Sequence, residues 1–298
     1  MYRLLTDLLS CALYSFLWAF AFLPLRVLYI FSDFLYFVVY FVIRYRRNVV
    51  FKNLLLSFPE KKKEEIISIA KNFYKYFIDS FFEAMRLLHM SEQDVMNRFR
   101  YKNSGLLKEI YDKGDSIILL LPHYGNWEWL ASLEKISPLH FLAIYKPLAN
   151  RCIEKLYIRL RERFGGETVP MKKAFRKMVA YQGDKKQNIT FFLYDQRPIG
   201  NELNYWITFL NQDTPVLLGA EKIARQLKQT VVFMKMRRVK RGYYESEFIK
   251  ITDKAPSTQE LEITNHFYKL LEELIREDPA PWLWSHNRWK YNKNDFVK

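Results

Sequence analysis

The sequence predicts an α/β fold, a central mixed sheet flanked by helices, with a membrane-anchoring helix at the amino terminus. Two patterns and a composition predict it. Short apolar runs alternate with helical patterns from Ser116 onward, and an uncharged apolar run occupies Leu8 to Leu25. Half of the 298 residues are hydrophobic and 17% are aromatic, enough to build a sizeable core and unlike a disordered chain. Two cysteines, Cys11 and Cys152, exclude a disulfide framework and a cysteine-based zinc site. The nine glycines form neither G-x-G-x-x-G nor G-x-x-x-x-G-K-[ST], which disfavours the common nucleotide-phosphate cradles.

In chain order, the Leu8–Leu25 run has about the minimum length for a helix crossing the hydrocarbon layer. A second apolar stretch, Phe34 to Ile43, follows Arg26 and Asp33 and is too short to span, so it reads as re-entrant or interfacial. Arg44, Arg46, Arg47 and Lys52 then mark the cytoplasmic side, and no small-x-small cleavage site follows the first run, which argues for a retained anchor over 1–47 and a cytosolic domain over 48–298. Apolar residues at threes and fours from Lys61 to Leu88 predict an amphipathic helix. The domain then reads as strand Ser116–Leu121, helix Trp127–Ile136, strand Phe141–Tyr145, helix Asn150–Phe164, strand Thr168–Val169 and helix Lys172–Tyr181. Strand Ile189–Tyr194, helix Val216–Leu227, strands Val231–Met236 and Tyr243–Ile251, and helix Thr258–Arg276 complete it.

The formal charge of +15 suits nucleic acid, anionic lipid or an acidic protein. An apolar anchor beside the basic surface points to the lipid bilayer and away from nucleic acid.

Ligands of open α/β sheets gather at the carboxyl ends of strands. There the sequence places His123-Tyr-Gly-Asn-Trp-Glu128. On one regular helix a separation of five would turn the two side chains about 140° apart, so His123 must lie on the turn before the helix, with Pro122 and Gly125 supplying that turn. His123 is then a candidate general base and Glu128 the carboxylate that orients it, although a helix-capping histidine has the same spacing. Arg161 and Arg163 at one helix end, and Arg197 close to Asp195 after another strand, are the residues whose guanidinium groups suit a phosphate or a developing oxyanion. His286 lies among Trp282, Trp284 and Trp289, a cluster that suits a lipid-facing belt, a packing seam or a site wall. There is no G-x-S-x-G elbow, no obvious reactive cysteine and no regular metal-ligand spacing around His123, so direct transfer is favoured over covalent or metal-assisted chemistry.

Taken together these segments resemble the late acyltransferases of lipid A biosynthesis, the lauroyl/myristoyl transferases within the lysophospholipid acyltransferase superfamily. The resemblance rests on the anchor, the H-x4-E box of His123 and Glu128, Tyr145-Lys-Pro with Asn150 and Arg161-x-Arg163, Tyr194-Asp195-Gln-Arg-Pro, Phe209 to Thr214-Pro215, and Trp284-Ser-His-Asn-Arg-Trp-Lys290. It departs from the family where Lys146 and Asn287 replace common arginines. It implies a bacterial inner-membrane enzyme, its catalytic domain on the cytoplasmic face. Such an enzyme moves a fatty acyl chain from a thioester, on acyl carrier protein or coenzyme A, to a hydroxyl of a glycolipid precursor, with no other cofactor. His123 and Glu128 would be catalytic. Asn126, Lys146, Asn150, Arg161, Arg163, Asp195, Arg197, Arg288 and Lys290 would bind the oxyanion, phosphate or substrate. Another glycolipid or aminolipid acceptor, or a non-catalytic membrane adaptor, are the alternatives.

Overall fold

The computed structural model describes residues 14–198, 203 and 205–295. Residues 8–13 of the expected anchor, Cys11 among them, lie outside the described residues. Residues 14–20 are helical, and a turn follows at 21–23. Pro24 then caps the next helix with φ −63°. Proline has no N–H for the preceding turn and disfavours helix in the residue before it, so the Leu8–Leu25 run does not continue as one helix to Leu25.

Helix α1 starts there, Leu25–Phe37, and continues as a π-helix Val38–Ile43. Phe34–Ile43 is therefore not a separate short segment. Leu25–Ile43 forms 19 residues long and apolar enough to cross a membrane. Arg26 and Asp33 do not interrupt it, because a charge on one helix face needs a partner rather than a break: Asp33 pairs with Arg241 at 2.7 Å. On the same side Ser32 donates to Asp79 at 2.6 Å and the Tyr29 hydroxyl to Glu83 at 2.7 Å. The other side exposes Ile30, Phe34, Phe37, Val42 and Ile43.

Helix α2, Arg47–Ser57, leads to α3, Lys63–Leu87, which matches the amphipathic pattern. At its start the Glu65 carboxylate accepts the Lys62 backbone N–H at 3.0 Å, satisfying one of the amides a helix end leaves open. Three short elements follow that the periodicity does not announce: α4 Glu92–Arg98, β1 Phe99–Tyr101 and α5 Gly105–Asp112. The domain body carries β2 Ile117–Leu121, a 3₁₀-helix Trp127–Lys135, β3 His140–Tyr145, α6 Arg151–Arg161, β4 Glu167–Pro170, α7 Met171–Gly183 and β5 Asn188–Leu193. After a small hairpin of β6 Trp206–Phe209 and β7 Gln212–Pro215 come α8 Gly219–Leu227, β8 Thr230–Lys240, β9 Tyr243–Thr252 and α9 Glu262–Glu277.

The seven-stranded sheet runs β1-β9-β8-β2-β5-β3-β4. All its pairs are parallel except the antiparallel β8–β9 hairpin, so the sheet is mixed as expected. Every residue of β2 is buried, as a strand covered on both faces requires. Alternation sends Ile117, Leu119 and Leu121 into one hydrophobic core with α3, and Ile118 and Leu120 into the opposite one with α8 and α9. Beside β2 lies β5, with Leu121 opposite Leu193, and the ladder continues one step further as the Tyr194 amide donates to the Leu121 carbonyl at 3.0 Å.

Candidate active site

That register decides the site. His123 stands two residues beyond Leu121 and Asp195 two residues beyond Leu193, so adjacent parallel strands deliver both side chains to the same carboxyl edge. The His123 Nδ1 and Asp195 Oδ1 are 2.6 Å apart. The other carboxylate oxygen accepts the His123 backbone N–H at 3.0 Å and the Trp282 indole N–H at 2.8 Å. With Nδ1–H directed at Asp195, Nε2 is left as the basic nitrogen; the Gln196 side-chain amide lies 3.2 Å from it and donates to it. Burial by itself would raise the Asp195 pKa. The facing imidazole and three hydrogen bonds outweigh it and hold the carboxyl below its ordinary range.

Glu128 is not the orienter that the five-residue spacing suggests. His123 does sit on the turn ahead of the helix, but the carboxylate of Glu128 faces α6. There it accepts Arg161 Nε at 2.9 Å and Nη2 at 2.7 Å, and the Trp127 indole N–H at 3.2 Å. A permanently charged guanidinium offers a two-point fork that an imidazole cannot match. Burial works against the Arg161 charge, yet Glu128 beside it raises its pKa above the usual value.

The turn itself is built for close approach. Gly125 has φ +63°, and a Cβ there would meet Met236 Sδ at 2.7 Å. The carboxy-terminal segment clamps it, with the Gly125 amide on the Pro281 carbonyl at 3.1 Å and the Leu283 amide on the His123 carbonyl at 3.1 Å. Trp282 and Trp284 are buried and Trp289 is packed against the same core, so the tryptophan cluster is a packing seam, and Trp282 is also a wall of the site. It is not a lipid-facing belt.

His123 opens onto a cavity of about 890 Å³, within the range of small-molecule sites. Apolar side chains such as Leu148, Met171, Phe175, Phe191 and Leu217 dominate its walls, and Lys146 and Arg161 are among its charged groups. A recess of about 30 Å³ shares Ile144, Arg161, Phe191 and Leu193 with it and extends to Leu121, Ala131 and Phe141.

The remaining candidates are distributed differently. Asn126 is buried and donates to Glu83 at 2.9 Å. The Asn150 side chain caps α6, accepting the Cys152 and Ile153 amides at 3.1 Å each. Arg163 donates to the Met90 carbonyl at 2.7 Å, on the far side of α6 from the cavity. Arg197 lies over the Tyr291 ring, and buried Arg288 donates to the Tyr268 hydroxyl at 3.1 Å. Lys290 is exposed next to Tyr291. Sequence reasoning missed Gln196 and Trp282 as partners of the pair, although Gln196 stands directly after Asp195 at a strand tip. Among the described residues no group of three or more His, Cys, Asp or Glu side chains is placed to hold a metal.

His286 is not a second base. Burial, above all, lowers its pKa to about 4, so the imidazole is neutral at neutral pH. The unfolded chain takes up this proton below about pH 6.5 and the folded one only near 4, so stability is full above the first value and is lost as pH falls toward the second. His286 therefore makes the folded protein less stable at pH 5 than at pH 7. Urea titrations should show a shallower pH slope for His286→Gln; identical slopes would count against its neutral burial.

A strand-tip imidazole, oriented by a buried carboxylate and opening onto an apolar cavity, defines a class of site suited to drawing a proton from an incoming hydroxyl. The chain belongs to the bacterial lipid A biosynthesis acyltransferase family, whose model matches residues 2–291. It is similar to the lipid A biosynthesis acyltransferase of Haemophilus influenzae, 22% identical over 196 residues, which is 65% of this chain and 61% of that protein. The matched region therefore spans less than two thirds of the length of that relative.

Proposed function

We propose that this chain transfers a fatty acyl group from a thioester, on acyl carrier protein or coenzyme A, to a hydroxyl of a lipid A precursor. The observation that carries the reading is the His123–Asp195 pair at an apolar cavity of about 890 Å³. His123 Nε2 takes the proton of the acceptor hydroxyl as its oxygen attacks the thioester carbonyl. The tetrahedral oxyanion then collapses, the carbon–sulfur bond breaks, and the leaving thiolate receives the proton from the imidazolium. No acyl-enzyme forms. The Gln196 amide is an N–H donor beside the reacting atoms, and Arg161 keeps a positive charge on the cavity wall. The acyl chain lies among Phe175, Phe191 and Leu217, and Lys146 stands among the polar groups of the same wall.

The domain sits at the cytoplasmic face of the bacterial inner membrane. Supporting this are the exposed apolar side of α1 and the arginines 44, 46 and 47 that follow it. The basic surface also favours an acidic carrier protein as donor. The test is to incubate the membrane-reconstituted full chain with labelled acyl carrier protein or coenzyme A thioesters and a tetra- or penta-acylated lipid A precursor. Product mass should rise by one acyl group with the wild type and not with His123→Ala. Transfer by the alanine variant at the wild-type rate would end the base assignment.

A further inference from the structure

A second cavity, of about 700 Å³, lies across α6 from the first. On a helix of 3.6 residues per turn Lys155, Arg159 and Glu162 form one stripe and Glu154, Tyr157 and Arg161 another. The second stripe lines the His123 cavity, the first lines this one, and Ile158 borders both. Arg86, Leu88 and His89 from the end of α3, together with Arg163, complete the wall, and Trp18 and Phe22 form a lip.

The lip is fastened to the cationic wall. The His89 Nε2–H donates to the Trp18 carbonyl at 3.0 Å, its ring stacks on Phe22 with centroids 3.6 Å apart, and Arg86 donates to the Ala21 carbonyl at 3.1 Å. Four cations thus share the cavity with one carboxylate, Glu162, one of whose oxygens is already taken by the Thr168 amide and hydroxyl at 3.0 and 2.6 Å. Among the described residues the hydrogen-bond partners of Arg86, Arg159 and Arg163 are neutral: the Ala21 carbonyl, the Tyr14 hydroxyl and the Met90 carbonyl. The crowding of positive charge is felt by the groups themselves. Burial first, and then Arg98 and Arg163, lower the Arg86 pKa despite Asp94; burial and Arg159 do the same to Arg163.

We propose that this cavity binds the phosphate group of a membrane lipid, its oxygens held by Arg86, Lys155, Arg159 and Arg163 and its lipid body against Trp18 and Phe22. Several convergent guanidinium groups suit a phosphate, whose oxygens accept charge-assisted hydrogen bonds. The lipid origin follows from the lip. Phe22 is exposed, as is Phe16 on the same segment, and apolar rings next to a cationic face suit insertion at the headgroup boundary of a bilayer. A free phosphate would have no use for them. The site does not depend on the acyl-transfer reading, because binding is measured without turnover.

The experiment titrates the full chain in neutral detergent with short-chain phosphatidic acid, with phosphatidylcholine of the same chains, and with inorganic phosphate. Lys155 and Arg159 are exposed on one helix face, so Lys155→Gln/Arg159→Gln keeps the fold, which the melting temperature verifies. Lys185→Gln/Lys186→Gln, exposed beyond α7, removes the same net charge elsewhere. The wild type and the control variant should bind phosphatidic acid saturably and more tightly than phosphatidylcholine, and Lys155→Gln/Arg159→Gln should bind it about 10- to 30-fold more weakly. Equal affinity of the two double variants overturns the site. Inorganic phosphate binding as tightly as phosphatidic acid overturns its assignment to a lipid.

Discussion

Asp195→Asn is expected to lower kcat by about 10²–10⁴-fold with the far-ultraviolet circular dichroism unchanged. The carboxylate accepts the Nδ1–H of His123 and leaves Nε2 the unprotonated nitrogen that acts as base; an amide at the same place can present N–H to Nδ1 and invert the tautomer. His123→Ala should cost a similar factor, and the double variant little more than either one, since the two residues act as a unit. Glu128→Gln provides the contrast. Its oxygens hold Arg161 rather than the imidazole, so this variant should lower stability and substrate affinity more than it lowers kcat at saturating substrate. The measurement is kcat and KM for the four variants with one thioester and one acceptor. Near-normal kcat in Asp195→Asn together with a collapse in Glu128→Gln would restore the local H-x4-E pair as the working unit.

Glu83→Ala is expected to be the most destabilising of the substitutions considered, by about 3–5 kcal/mol in urea or thermal unfolding. The side chain is fully buried and accepts three hydrogen bonds, from the Tyr29 hydroxyl at 2.7 Å, the Tyr244 hydroxyl at 2.6 Å and the Asn126 amide at 2.9 Å, with Arg238 at 3.8 Å. Truncation leaves two buried donors and the half-buried Tyr29 hydroxyl without an acceptor, and an arginine with half its compensation. One carboxylate ties together α1, α3, β9 and the turn that carries His123, so activity should fall along with stability. Glu83→Gln keeps the shape and one carbonyl oxygen, and should lose less. A loss below about 1 kcal/mol for the alanine variant would show that these donors find other partners. Asn126 therefore serves the site by holding its turn in place, and it meets Glu83 rather than the cavity.

Much of the fold was legible because it is written in local periodicity. The strands around Leu119, Leu142, Phe191 and Phe233 are apolar runs bounded by polar residues, and α3 repeats its apolar positions at threes and fours. Elements of three to eight residues, such as β1 and α5, give too little repetition to be seen. The extent of the apolar helix is hidden in the sequence for a related reason. Arg26 and Asp33 looked like boundaries in a list of residues, but on a helix they point to one side, where Arg241 receives Asp33. Pro24, which marks the break and caps the start of the next helix, is the better signal.

By itself the sequence determined the alternation of strands and helices, the apolar amino terminus and the placing of His123 on a turn after a strand. These follow from backbone stereochemistry and from the burial of side chains a few positions apart. Only the tertiary structure decided which carboxylate serves that histidine. A parallel pair brings together residues 72 positions apart through strand register, a quantity set by the packing of both faces of the sheet and absent from any local spacing. The same packing turned Glu128 toward Arg161, and set the two faces of α6 against two different cavities.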